Sequence, residues 1–401
     1  MKKTLLAAAL VTGFAGVAHA ESSVTLYGLV DAGYGYKQQK VSSDGVEYKN
    51  SNIGARNNVK NGSRWGMKGV EDLGNGTSAI FQLEGGFTPG DGRQAQDNRL
   101  FGRQAFVGLT GESWGTFTIG RQYNAADAFI APIDPFGTGW GQAASNSAFG
   151  DSVSHRYDNA IKYVSPNFSG FQFGLGVVHD DTKVTEKIGN VETTEKTTGS
   201  GVTFGAGYNA GPLALGVSFD YLRNKNKLNG ATTSDDKTKA WNLGAAYDLD
   251  VVKLHAIVGQ QRDGVIGGMG LAEDLVAANG NIYGFTNVGT VQDPDWVANG
   301  GFKGGKGLRQ TSWLAGVSAP VGDAGKVLFS YTGNRIKHSD LGDQRIKTNI
   351  FSLGYQHNLS KRTQVYALAS YGQSKLTNRG PNVSDVKLKS TDVAVGLQHR
   401  F

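Results

Sequence analysis

The chain holds 401 residues with a formal charge of +6, 39% hydrophobic residues and no cysteine. Its mean hydropathy is negative, and no stretch beyond residue 20 approaches the length of a membrane helix, which excludes helical spanning. The lack of cysteine excludes disulfides and thiol metal sites. The mild charge shows no clustered basic stripe along the sequence, so nucleic acid is not an expected partner.

The first 20 residues read as a secretory leader. Lys2 and Lys3 are followed by a short apolar run over 5–17 and by Ala18-His19-Ala20, an A-x-A cleavage pattern. Removing this leader with its two lysines leaves 381 residues from Glu21 onward and lowers the formal charge from +6 to +4. Residues 21–401 then form one domain, with no linker inside it.

The first element spans 23–36. Val24, Leu26, Val30, Ala32 and Tyr34 share one parity, and Ser23, Thr25 and Asp31 the other. A period of two places alternate residues on opposite faces of a strand. In the second, Arg64 and Lys68 oppose Trp65 and Met67. In the third, over 78–87, Gln82 and Glu84 oppose Ala79, Phe81 and Leu83. Parity is ambiguous over 101–109, but Arg103 must avoid lipid, because a mid-depth charge on that face costs about 2–4 kcal/mol. Arg99 and Arg121 fit either the wall or the membrane interface.

The connection over 123–154 is unlike the others. It carries Ala131-Pro132-Ile133-Asp134-Pro135-Phe136-Gly137-Thr138-Gly139-Trp140, too apolar for bulk water and suited to folding inward against a wall. Its acids are Asp127 and Asp134. In the sixth segment Arg156, Asp158 and Lys162 oppose Tyr157, Ile161 and Tyr163. Parity therefore nominates Arg64, Lys68, Glu84, Arg103, Arg156 and Lys162 for a charged inner face, with Asp127 and Asp134 on the loop across from it.

Alternation recurs at Leu213, Leu215, Val217, Phe219 and Tyr221, at Trp241, Leu243, Ala245 and Tyr247, and at Val327, Phe351 and Val365 with their neighbours. It ends on Val393, Val395, Leu397 and Phe401. About sixteen such segments are separated alternately by short turns and long connections at 37–62, 123–154, 180–200, 223–238, 261–309 and 334–346. Aromatic residues cluster near segment ends. This is the pattern of a transmembrane barrel, in which each strand is only half apolar and closure leaves no edge in the lipid. The expected fold class is all-β: a transmembrane 16-stranded antiparallel β-barrel with its third loop folded into the lumen. A barrel this wide is not filled by its own side chains, so a loop must narrow it.

Ser22-Ser23-Val24-Thr25-Leu26-Tyr27-Gly28, Ser63-Arg64-Trp65-Gly66-Met67-Lys68-Gly69, Glu71-Asp72-Leu73-Gly74, Phe81-Gln82-Leu83-Glu84, Phe101-Gly102-Arg103-Gln104-Ala105-Phe106-Val107-Gly108-Leu109 and Gly120-Arg121-Gln122-Tyr123 resemble the Gram-negative outer-membrane general diffusion porins of the betaproteobacterial branch. The resemblance spans the chain after the leader. It implies a homotrimer of sixteen-stranded barrels whose third loop forms an eyelet. Wall arginines of that eyelet would be Arg64, Arg103 and Arg156, the wall acid Glu84, and the loop acid Asp127 or Asp134. The connection at 261–309 is the part hardest to fit.

The expected function is passive diffusion of small hydrophilic solutes and ions across the outer membrane of a Gram-negative bacterium, with a modest anion preference. The expected surroundings are outer-membrane lipid and lipopolysaccharide. No cofactor or metal is implied. Six of the histidines (His155, His179, His255, His338, His357 and His399) are scattered and lack a nucleophile context, so no enzyme is expected. The competing readings are a substrate-specific channel for a sugar or organic anion, which would need an aromatic track, and a barrel-anchored adhesin.

Overall fold

The computed structural model describes residues 22–43, 45–266, 270–272, 274–275, 305–377 and 385–401. The expected leader lies outside these residues, as does most of the 261–309 connection. The first strands are β1 (Ser23–Ser43), β2 (Val46–Asn57), β3 (Arg64–Gly74), β4 (Thr77–Gly86), β5 (Gln104–Gly111), β6 (Gly115–Tyr123) and β7 (Arg156–Val164). Then come β8 (Phe171–Ile188), β9 (Val191–Ala210), β10 (Leu213–Leu228), β11 (Ala231–Asp248) and β12 (Lys253–Arg262). The last five are β13 (Leu308–Val321), β14 (Gly325–His338), β15 (Arg345–Asn358), β16 (Thr363–Thr377) and β17 (Val386–Arg400).

Apart from β2 and β3, each strand pairs antiparallel with its sequence neighbour, and β1 pairs with β17 from Leu29↔Arg400 to Ser42↔Lys387, which closes the sheet. Seventeen strands make sixteen staves. Both β2 and β3 pair with β1, at Ala32↔Asn57 and Leu29↔Arg64, so they are two halves of one stave. The barrel is thus the sixteen-stranded one that the alternation predicts.

Parity and burial agree along the staves. On β10 Leu215, Val217 and Phe219 are exposed, whereas Ser218 and Asp220 are fully buried. The apolar face is the outer one, where lipid replaces water, and the polar face lines the interior. Exposed aromatic residues such as Phe168, Phe171, Tyr208, Tyr247 and Tyr355 stand beside the short turns, where amphipathic rings favour the headgroup level.

Three of the expected loops are corrected to strand. Residues 37–57, 180–200 and 223–238 are paired hairpins that prolong β1/β2, β8/β9 and β10/β11. Their Thr, Lys and Ser content reads as loop because apolar residues such as Ile53, Val184 and Leu228 are sparse on them, yet Thr suits a strand. Asn229 and Gly230, both at positive φ, close one hairpin tip in the manner of a two-residue hairpin turn.

Two local irregularities position the interior. Residues 58–63 leave the wall between β2 and β3, opposite Val30 and Asp31. Asp31, itself buried, accepts the backbone N–H groups of Lys60 (3.4 Å) and Asn61 (3.1 Å), and its own N–H donates to Ser63 Oγ (2.9 Å). The second is a bulge. The β6–β7 register shifts between Gly120 and Gln122, and Asn159 takes a positive φ. A bulge inserts a residue and re-aims its neighbours. It turns Tyr157 inward, where its hydroxyl donates to Asp220 Oδ1 (2.9 Å). It turns Asp158 outward, onto Arg99 (2.8 Å) and Arg121. The expected inward set of Arg156, Asp158 and Lys162 therefore loses Asp158.

Candidate functional site: a cation cluster opposite a folded loop

Residues 124–155 join β6 to β7 without strand. Asn124 caps the short helix α1 (Ala125–Phe129), accepting from the N–H of Asp127 (3.3 Å) as N-cap side chains do. The apolar residues that look wrong for a solvent loop are buried against the inner face: Ile130, Ile133, Phe136, Trp140 and Phe149 are at most 3% exposed. Small wall residues make the approach possible. A β-carbon at Gly216 would lie 2.0 Å from the Phe129 carbonyl oxygen, and one at Gly354 would lie 2.7 Å from the Phe136 ring.

Polar ties complete the seat. Ala148 O accepts from Gln310 Nε2, Ser312 Oγ and Asn334 Nδ2, each at 2.8 Å. Gln142 accepts from Ser390 Oγ (2.7 Å) and donates to Ser370 Oγ (3.1 Å). The N–H of Trp140 donates to Lys60 O (3.0 Å), and Lys60 Nζ stands 5.1 Å from the Trp140 ring centre. The break at 58–63 is thus the dock for the loop's far end.

Across from the loop, wall residues gather around a cavity of about 450 Å³ lined by Arg64, Glu84, Arg103, Asp127, Arg156 and Lys162. Arg103 Nε donates to Glu84 Oε1 (2.6 Å), and both are buried. Glu84 Oε2 also accepts from the Tyr27 hydroxyl (3.0 Å), which in turn accepts from Gln82 Nε2 (2.6 Å). The Tyr123 hydroxyl accepts from Arg103 Nη2 (2.9 Å) and from Arg156 Nη2, and the Arg156 guanidinium lies 4.3 Å over the Tyr123 ring. Lys162 Nζ donates to Tyr123 O (3.0 Å), and Arg64 Nε to Gly62 O (2.9 Å). One phenol and a few carbonyls hold four cations together while one carboxylate, Glu84, pairs directly with Arg103.

Of the two loop acids, Asp127 joins this cluster. Its carboxylate accepts from Ser154 Oγ (2.5 Å). Burial raises its pKa from the ordinary value, against the pull of Ser154, Lys162, Arg156 and Arg103. Asp134 does not face the cavity. It is 3% exposed and accepts the N–H groups of Phe136 (2.8 Å), Thr138 (3.1 Å) and Ser145 (3.0 Å), so it knits the loop to itself. Lys68 also stands apart, 5.7 Å from the Tyr27 ring centre. Tyr123 was not singled out by parity, nor was Arg56, whose guanidinium makes a bidentate pair with buried Asp392 (3.0 and 3.1 Å). The turn-forming Asn58, Asn61 and Gly62 inside an otherwise strand-like run were the available signal for the break.

Residues 6–378 match the family model described as Gram-negative porin. The chain is 42% identical to an outer membrane porin protein of Bordetella pertussis and 30% identical to outer membrane porin protein 32 of Delftia acidovorans, each over the full length of both chains. The chain belongs to the Gram-negative porins. A solved structure, the anion-selective porin from Comamonas acidovorans, is similar at 27% identity with a TM-score of 0.60, covering 95% of this chain and all of that one. This porin is accordingly an outer-membrane channel protein, and not an enzyme. Its strands, not helices, cross the bilayer.

Proposed function

We propose that this porin is a passive diffusion channel for small hydrophilic solutes and ions with a modest preference for anions. Residues 124–155 cross the lumen as an eyelet, and the cluster of Arg64, Arg103, Arg156 and Lys162 facing Asp127 is its filter. The observation that carries this reading is the convergence of four cations and three carboxylates, Glu84, Asp127 and Asp151, the first of them already paired with Arg103, on a single cavity. Selection then needs no bond chemistry. Two unit charges 4 Å apart interact by about 4 kcal/mol at an effective dielectric of 20, against about 1 kcal/mol in water. Guanidinium groups held by a low-dielectric wall therefore act on a passing ion more strongly than charges in bulk. Separating the cations from Asp127 also sets a transverse field across the opening.

The likeness to an anion-selective porin supports the sign of the preference. The same reading takes the working unit as a homotrimer and residues 1–20 as a leader removed on export. Reversal potentials in a planar bilayer under a salt gradient test it. Wild type should favour anions, and Arg64→Gln/Arg156→Gln should lower or invert the preference. Lys162→Gln, a milder change, should lower it less. Ohmic conductance with unaltered selectivity in all three would place the filter elsewhere.

A further inference from the structure

The second half of the 124–155 loop is held by more than the wall. Asn146–Phe149 form a short helix, α2, and Gly150–Val153 a 3-10 turn behind it. A helix ends with carbonyl groups that none of its own N–H groups reaches. Here Ala148 O takes the three wall donors already described, and Phe149 O takes Gln261 Nε2 at 2.6 Å. Gln261 stands at the outer end of β12 and is 2% exposed. Its Oε1 accepts the N–H of Ile266 (2.7 Å), and Ile266 O accepts the N–H of Asp151 (3.0 Å). Three bonds thus join the wall, the start of the β12–β13 connection and the loop in one closed ring. Gly270 of that connection also lies against α2, where a β-carbon would stand 2.1 Å from Ser147 O.

What the ring places is a charge. Asp151 lines the same cavity as Arg64, Arg103, Arg156 and Lys162. Its side chain is 41% exposed, whereas Asp134 is buried. Oδ1 accepts from Asn146 Nδ2 (2.8 Å), and Oδ2 stands 3.9 Å from His155 Nδ1, beyond hydrogen-bond reach. Asp127, the other loop acid at the cavity, is supported differently. Its N–H donates to Asn124 and its carboxylate accepts from Ser154, both within the loop. The two acids therefore answer to separate supports, one inside the loop and one reaching it from the outer mouth.

We propose that Asp151 is a further specificity-determining charge of the eyelet, and that Gln261, with the backbone of Ile266, is its positioning residue. The start of the β12–β13 connection then sets one side of the opening from the extracellular end of the barrel. This rests on the eyelet reading. Its physical basis is that a buried amide with both ends bonded leaves two backbone groups unmet when it is removed. The loop can regain neither partner without shifting, and the shift carries Asp151 with it. Asp127, held by Asn124 and Ser154, stays in place.

The test is a double-mutant cycle on the purified porin in planar bilayers under a gradient of potassium chloride. Asp151→Asn keeps the backbone N–H and an acceptor for Asn146, and should raise the chloride-to-potassium permeability ratio by about twofold. Gln261→Leu should raise it in the same direction. The double variant should match Asp151→Asn alone, because displacing a charge that is already absent changes nothing. Ile266→Pro deletes the N–H donor outside the barrel strands, and should repeat the Gln261→Leu result even if that variant folds poorly. Leu271→Ala, farther along the connection, should leave the ratio as in wild type. Additive shifts in the double variant would make Gln261 merely structural and overturn its role. An unchanged ratio in Asp151→Asn, while Arg64→Gln/Arg156→Gln still lowers the preference, would overturn the proposal and leave the eyelet standing. An unchanged ratio in the arginine variant as well would bring down both.

Discussion

Two levels of this barrel use the same strands in opposite ways. At the level of the 124–155 loop, the wall is apolar outside and mainly polar inside, with a few apolar residues such as Leu314 and Leu328 under the loop, and its inner charges face a cavity. At the rim of β12–β17 the inner face holds Leu308, Ile336, Ile346 and Leu376 while the outer face holds Arg309, Arg335, Lys337 and Lys347. The difference teaches that a period of two separates two faces without saying which is inside. The surroundings at each height decide that: acyl chains below, and above them a capped apolar interior behind a hydrated or headgroup-facing exterior. The inner ends of the two levels meet through the first part of the β12–β13 connection, where the N–H of Asp151 on the loop donates to Ile266 O (3.0 Å).

The comparison predicts that equal damage at the two levels has unequal consequences. Phe149→Ala removes a ring that is 1% exposed beneath the loop and should cost about 3–5 kcal/mol of the loop's attachment. Single-channel records should show higher, noisier conductance and a reduced anion preference. Leu271→Ala at the rim should cost about 2–5 kcal/mol of local packing, yet leave the reversal potential unchanged. A selectivity shift in the rim variant would break the distinction. Asp134→Ala should loosen the loop by about 1–3 kcal/mol, because it leaves backbone N–H donors of Phe136, Thr138 and Ser145 unmet. It should change conductance noise before selectivity, whereas an acid facing the pore would do the reverse.

A smaller effect sharpens the proposed eyelet. Burial raises the pKa of Asp127, so its carboxylate takes up a proton at a higher pH than a free aspartate. Protonation removes the negative partner of the cations, and anion preference should therefore rise as pH falls through that range. Asp127→Asn should show the raised preference at neutral pH and lose the pH step, which a pH series of reversal potentials would reveal. Smallest of all, Arg223→Ala/Asp235→Ala deletes an exposed ion pair on the β10–β11 hairpin. It should leave thermal unfolding and selectivity where they were, since such surface pairs contribute little.

Much of this was legible in the sequence. The alternation of Leu215, Val217 and Phe219 with Ser218 and Asp220 marks a membrane stave, and its repetition yields the sixteen. The apolar 131–140 run marks the loop that docks on the wall. What could not be read has physical causes. The bulge near Asn159 swaps Tyr157 for Asp158 on the inner face, and a bulge leaves no trace in parity until the register is seen. Polar hairpins such as 180–200 are strand without an apolar face. Asp134 and Asp127 are both loop acids in the sequence. Only the fold shows that one is used up by backbone N–H groups while the other shares a cavity with Arg156 and Lys162. The outer cations of the rim are brought together by cross-strand register between residues as distant as Lys239 and Arg345, which no local run displays.

The absence of cysteine allows the most direct test of the central claim, that the loop carries Asp127 to the narrow, cation-lined point of the lumen. Asp127→Cys, reconstituted in a planar bilayer, would be treated with an anionic methanethiosulfonate and with its cationic analogue. The account predicts a stepwise fall in single-channel conductance on modification, with the anionic reagent reacting faster because Arg64, Arg103, Arg156 and Lys162 draw it in. Modification that leaves conductance untouched, or that is faster with the cationic reagent, would contradict it.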